Sequence, residues 1–89
     1  MNICERKVIL NSDRYNYLHC SCWYDKSKKA FFLSIIPVKN GGAYPQESLK
    51  ACLLTVGRYS KKQAQIAEER FWQVLESHVA IWGHRYDKS

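Results

Sequence analysis

Tyr15-Asn16-Tyr17-Leu18-His19-Cys20-Ser21-Cys22-Trp23-Tyr24-Asp25-Lys26-Ser27-Lys28-Lys29-Ala30-Phe31-Phe32-Leu33-Ser34-Ile35-Ile36-Pro37-Val38 reads as a β-hairpin. Residues Tyr15 to Tyr24 alternate in type, Asp25–Lys28 is polar, and the run that follows is apolar, β-branched or aromatic. Side chains alternate across a strand with period 2. A four-residue loop Asp25–Lys28 would set Tyr24 opposite Lys29, Cys22 opposite Phe31, Cys20 opposite Leu33 and Leu18 opposite Ile35. Asp suits the start of such a loop because its carboxylate accepts hydrogen bonds from backbone N–H groups just ahead. That face belongs against a core. The other face pairs Trp23 with Ala30, Ser21 with Phe32, His19 with Ser34 and Tyr17 with Ile36, a mixture of polar, small and aromatic groups. A slip of one residue would set the apolar group against the mixed one, so the pattern supports this sorting of faces.

Outward from the hairpin, Lys7–Leu10 reads as an earlier strand that begins near Ile3. A loop over Ser12–Arg14 would place Val8 beside Leu18 and Cys4 near Cys22, completing a three-stranded antiparallel meander over about residues 3–38. Pro37 falls near the end of the third strand, where a missing N–H is tolerated. Asn40-Gly41-Gly42 ends the sheet region. Tyr44-Pro45-Gln46-Glu47 resembles a helix start, with Pro at the first helical position, and Leu49, Cys52 and Leu53 share a helical face. A short helix over about 45–55 is therefore expected, although Leu49, Ala51, Leu53 and Thr55 also alternate as a strand would. Ser60 stands three residues before Gln63, as in a capping box. Ala64, Ala67, Phe71, Val74, Leu75, His78 and Trp82 then recur at spacings of three and four, which predicts a long helix over about 60–82, stopped by Gly83 and followed by the polar tail 84–89. This helix should cover the face of Leu18, Cys20, Leu33 and Ile35.

The chain has 89 residues, which suits one α+β domain, 1–89, with a single modest core. Its 46% hydrophobic content argues for a globular chain. The 14 Lys and Arg outnumber the 8 Asp and Glu, and this excess favours an anionic partner. No apolar run of about 18 residues exists, so no membrane span is expected. The first residues lack the apolar core of a signal peptide, so a cytoplasmic location is expected. Cys4, Cys20, Cys22 and Cys52 then read as reduced thiols, mostly in the core.

No catalytic constellation can be named. His19-Cys20-Ser21-Cys22 is a weak zinc pattern, because Cys20 and Cys22 are spaced i, i+2 on a strand, His19 faces the other way, and no second ligand pair follows. Neither metal nor other cofactor is expected. Cys/His catalysis needs a base within reach of the thiolate and a group that orients it, and no spacing supplies one. The expectation is a protein that is not an enzyme. The clearest local anomaly is Gly57-Arg58-Tyr59-Ser60-Lys61-Lys62. A helix N-terminus carries partial positive charge, so cations in its first turn are unfavourable. Arg58, Ser60, Lys61 and Lys62 are candidate phosphate or polyanion contacts, since a bound phosphate would reverse that sign. The competing reading has both lysines pointing into water at little cost. The second candidate surface is the mixed sheet face of Tyr17, His19, Trp23 and Phe32, offering stacking for bases or an interface. Segment 40–56 covering that face is the bland alternative.

Tyr17-Leu18-His19, Ser21, Trp23-Tyr24 and Lys26, then Phe32, Ser34 and Pro37-Val38, then Leu49-Lys50, Leu53, Gly57-Arg58-Tyr59-Ser60 and Lys62-Gln63 form a spaced pattern. It resembles small uncharacterised accessory and mobile-element proteins of gut anaerobes. Those proteins carry a longer, glycine-containing loop where this chain has Asp25–Lys29. The resemblance implies a cytoplasmic accessory protein of plasmid or conjugative origin and brings no known activity. The combined expectation is a three-stranded meander followed by a short and a long helix packed on one face. Its expected role is a small non-enzymatic module binding nucleic acid or another polyanion. The alternative is a protein-interaction or homodimerisation module that uses the outer sheet face.

Overall fold

The computed structural model describes residues 1–85, so the last part of the expected polar tail, 86–89, lies outside the described residues. The chain is α+β. Strands β1 (Asn2–Asn11), β2 (Tyr17–Asp25) and β3 (Ala30–Lys39) form the expected antiparallel meander. A two-residue strand β4 (Gly42–Ala43) and a longer β5 (Leu49–Thr55) follow, separated by a single 3-10 turn, Pro45–Glu47. Helix α1 (Lys61–His78) comes next, then a second 3-10 turn, Val79–Ile81, and a short β6 (His84–Arg85). The strand order is β4-β3-β2-β1-β6, with β5 also pairing β3. The outer edge of β3 is divided: β5 runs along Ala30–Ile35 and β4 along Val38–Lys39.

In the first hairpin Val8 pairs with Leu18 and Cys4 with Cys22, the register expected from the spacing. The second hairpin corrects the expected pairs by two residues: Cys22 faces Leu33, Cys20 faces Ile35 and Leu18 faces Pro37. The cause lies in the turn. Asp25 is the last strand residue, paired with Ala30, and its Oδ1 accepts from the Ser27 N–H at 2.9 Å, the Ser27 hydroxyl at 2.7 Å and the Lys28 N–H at 3.2 Å. Asp is favoured at the residue that opens a turn, which moves the loop to Lys26–Lys29. Lys29 closes it in the left-handed region at φ 54°. A displacement of two is one full strand period, so every side chain keeps its expected face.

The larger correction concerns residues 45–55. The expected helix is absent from that range; apart from the 3-10 turn it is strand β5, and the sheet therefore gains a fourth long strand. A helix there would be short and marginal by itself. It would also leave the N–H and C=O groups along Ala30–Ile35 without partners, and buried backbone groups are almost always paired. Asn40-Gly41 is a further signal that the sequence carries: both residues have positive φ, 52° and 82°, and they join β3 to β4 as a two-residue hairpin turn. Pro37 lies near the end of β3, as expected, two residues before Lys39, and is fully buried. Its carbonyl accepts from the Tyr44 N–H at 3.0 Å, so its missing N–H faces the junction between β4 and β5, where no ladder bond is lost.

The core is one cluster. Ala64, Ala67, Phe71 and Leu75 of α1 join Leu18, Cys20, Cys22, Phe31, Leu33, Ile35 and Leu53 of the sheet. Ser60 caps α1 by accepting from the Gln63 N–H at 3.1 Å. The helix ends at His78, before the expected 82, and the 3-10 turn carries Trp82 into the core, where it is 2% exposed. Gly83 then takes φ 141°, and a Cβ there would stand 2.6 Å from the Ser12 Cβ. Only glycine fits such a backbone against such a neighbour. Among the described residues, no helix is long and apolar enough to cross a membrane.

Candidate nucleic-acid interface

The period-2 sorting sends one set of side chains to the core and the other to the opposite face. On that outer face Lys7, His19, Lys50 and Cys52 are exposed, while Tyr17, Trp23, Phe32 and Ile36 are half-buried. Small side chains fill in between them: Ala30 and Ser34 are buried. Segment 40–56 does not cover this face, because its long part is β5, a member of the same sheet.

Trp23 and Phe32 are directly opposite each other on β2 and β3, and their rings stack with centroids 6.2 Å apart and planes at 29°. The Lys28 Nζ stands 5.4 Å from the Phe32 ring centre, within cation–π range. Cys52 pairs with Phe32 from the other side and Lys50 pairs with Ser34. Together Trp23, Asp25, Lys28, Phe32, Lys50 and Cys52 frame an open hollow of about 450 Å³. Farther along the face, Tyr17, His19, Ile36 and Val38 line a smaller one of about 230 Å³. Lys7 Nζ lies 4.4 Å from the Tyr17 ring centre, and His19 Nε2 lies 3.8 Å from Glu5 Oε2. The charge on the face is mixed but leans positive. Of its acids, Asp25 is turned into its own loop, where the hydrogen bond from Ser27, above all, holds its carboxyl below the usual carboxylate range.

The second candidate set spans the loop between β5 and α1 and the first turn of α1. Arg58, Ser60, Lys61 and Lys62 are all exposed. Arg58 and Ser60 share a hollow with Thr55, Gly57, Tyr59 and Gln63, whereas Lys61 and Lys62 are outside its lining. Ser60 Oγ is already engaged as the helix cap. Tyr59 turns inward, 5.7 Å from the Tyr24 ring and 6.0 Å from that of Phe31. What the fold adds is position. Ala30 pairs with Thr55, and the Val56 N–H donates to the Lys29 carbonyl at 2.9 Å. The turn carrying Lys26, Lys28 and Lys29 and the loop that carries Arg58 and leads into Lys61 and Lys62 of α1 therefore lie at the same end of the sheet.

Lys50 and Cys52 are the site residues that sequence reasoning missed. The strand-like alternation of Leu49, Ala51, Leu53 and Thr55 was their signal, and it would have put Lys50 and Cys52 on the outer face. Arg14, at the other end of β2, is not part of this surface: its Nη2 donates to Glu47 Oε1 at 2.8 Å. His19 and the pair Cys20 and Cys22 lie on opposite faces of β2, with both thiols fully buried. Among the described residues no three His, Cys, Asp or Glu side chains gather as metal ligands. Neither a protein-family model, nor a curated protein, nor a solved structure matches this chain.

Proposed function

We propose that this protein is a non-enzymatic binding module for nucleic acid or a similar polyanion, acting in the cytoplasm. The observation that carries the reading is the convergence of two basic stretches remote in sequence. The segments bearing Lys26, Lys28 and Lys29 and bearing Arg58, Lys61 and Lys62 come to the same end of the sheet, the end that also bears Trp23 and Phe32. A polyanion offsets the cost of placing Lys61 and Lys62 in the first turn of α1, since its phosphates would be drawn both to the helix start and to these cations. Contacts of this type position a partner without reading its sequence. The resemblance to accessory proteins of mobile elements fits this reading by setting alone.

The test is fluorescence anisotropy of labelled oligonucleotides, single-stranded and duplex, between about 50 and 200 mM salt. A log–log slope of about −2 to −3 corresponds to roughly three phosphates neutralised, as Arg58, Lys61 and Lys62 would do. The Lys61→Glu, Lys62→Glu double variant should stay folded and lose most of this affinity. Absence of binding at the lowest salt overturns the reading. In that case light scattering should show a concentration-dependent dimer formed through the outer sheet face, whose apolar members include Ile9 at 48% exposure.

A further inference from the structure

We infer that the partner is single-stranded, and that the hollow framed by Trp23, Phe32, Lys28, Lys50 and Cys52 seats one of its unpaired bases. This rests on the polyanion reading and narrows it. In a duplex the faces of the bases are covered by their neighbours, so aromatic rings on a protein have no flat partner; in a single strand those faces are free. Trp23 and Phe32 form an offset-stacked pair at the wall of a concave space, and concave spaces of several hundred Å³ hold small planar groups. The charges suit a nucleotide. Lys28 and Lys50 line the same hollow as the rings and can meet the phosphates next to a seated base. Asp25, the acid in the lining, has Oδ1 occupied by Ser27 and Lys28. Glu5, the other acid of the face, lies farther along, beside His19. From Trp23 to Tyr17 is six residues of β2, about 20 Å. A strand leaving the hollow along that line reaches the second one, where Lys7 stands over Tyr17. In the other direction it meets the basic end.

Cys52 supplies a test in the unaltered protein. It is the exposed thiol, whereas Cys4, Cys20 and Cys22 are buried, so a thiol reagent applied to the folded chain reports on the hollow. Oligothymidine should slow Cys52 modification and should bind more tightly than a duplex at equal salt. Trp23→Ala and Phe32→Ala should each weaken single-strand binding about 5- to 150-fold, the range for losing one stacked base, and leave the salt slope unchanged. If those variants fail to fold, protection of Cys52 in the wild-type chain decides. Duplex binding as tight as single-strand binding, with Cys52 still reactive, overturns this inference and leaves the polyanion reading standing. No binding of either overturns both. Shielding of Cys52 that grows with protein concentration, with no effect of oligothymidine, also overturns it and marks the hollow as a contact between two copies.

Discussion

Cys4 and Cys22 face each other across β1 and β2, and both are buried. Burial, with the neighbouring Cys4 thiol adding to it, pushes the Cys22 thiol up to about 12. The pH consequence has a definite sign. The unfolded chain loses this proton near the ordinary 9.0, while the folded chain keeps it to about 12. Between those values the folded state holds more protons, so stability is fully present below about pH 9 and falls as pH rises toward 12. Urea midpoints measured across that range should fall more steeply for the wild-type chain than for Cys22→Ala. A midpoint profile identical in the two proteins would show that Cys22 ionises in the folded state as readily as in water. The spacing of Cys4, Val8, Leu18 and Cys22 made this pairing legible beforehand, because one tight loop between two alternating strands leaves few registers. The thiol's resistance to ionisation was not legible, since it depends on what else is packed around it.

Among the elements, α1 was the most legible, since its start is written in Ser60 and Gln63. Ser60 accepts from the Gln63 N–H, and the buried stripe of Ala64, Ala67, Phe71 and Leu75 follows at helical spacing. Ser60→Ala should cost about 0.5–2 kcal/mol, read from thermal or urea unfolding followed by circular dichroism. It should do so without lowering oligonucleotide affinity by more than that destabilisation explains, because the hydroxyl is spent on the cap. Strand β5 was the least legible element. Leu49, Cys52 and Leu53 share a face at helical spacing, and Leu49, Ala51 and Leu53 share one at strand spacing. A bulge between Cys52 and Leu54 further blurs the alternation and admits Leu53 to the core. Arg70 Nη1 donates to the Leu53 carbonyl at 3.0 Å, so a helix residue far along the chain satisfies the backbone group that the bulge exposes. Short apolar runs of this kind are ambiguous by periodicity.

The two ends of the whole molecule are built oppositely. One gathers cations. The other is closed by a polar cluster that joins three segments distant in sequence. Tyr15 is buried, and its hydroxyl donates to Glu47 Oε1, which also accepts from Arg14; that bond to Glu47, before the effect of burial, raises the Tyr15 phenol above its ordinary range. The Glu47 carbonyl accepts from the Trp82 indole N–H at 2.9 Å, and Arg14 Nη1 donates to the Ile81 carbonyl at 3.3 Å. Glu47→Ala removes this partner, leaving the Tyr15 hydroxyl to Arg14 and water, and should lower the urea midpoint. Binding of a short oligonucleotide at the Trp23 and Phe32 hollow, at the opposite end, should be unchanged when measured well below the unfolding temperature. Loss of affinity in that variant would mean that the two ends are coupled.

The sequence by itself determined the sorting of side chains: which residues of β1, β2 and β3 face the core, and which stripe of α1 meets them. Those patterns are local, with periods of 2 and 3.6 residues, and they survive a register error of two. The tertiary structure alone decided that residues 49–55 join the sheet, that Lys50 and Cys52 consequently border Trp23 and Phe32, and that two basic stretches lie at one end of the sheet. The physical reason is the open edge of β3. Its N–H and C=O groups along Ala30–Ile35 must be paired, and a segment that suits helix and strand almost equally takes the form that pairs them. No window of sequence around Leu49 contains that edge, which lies well before it along the chain.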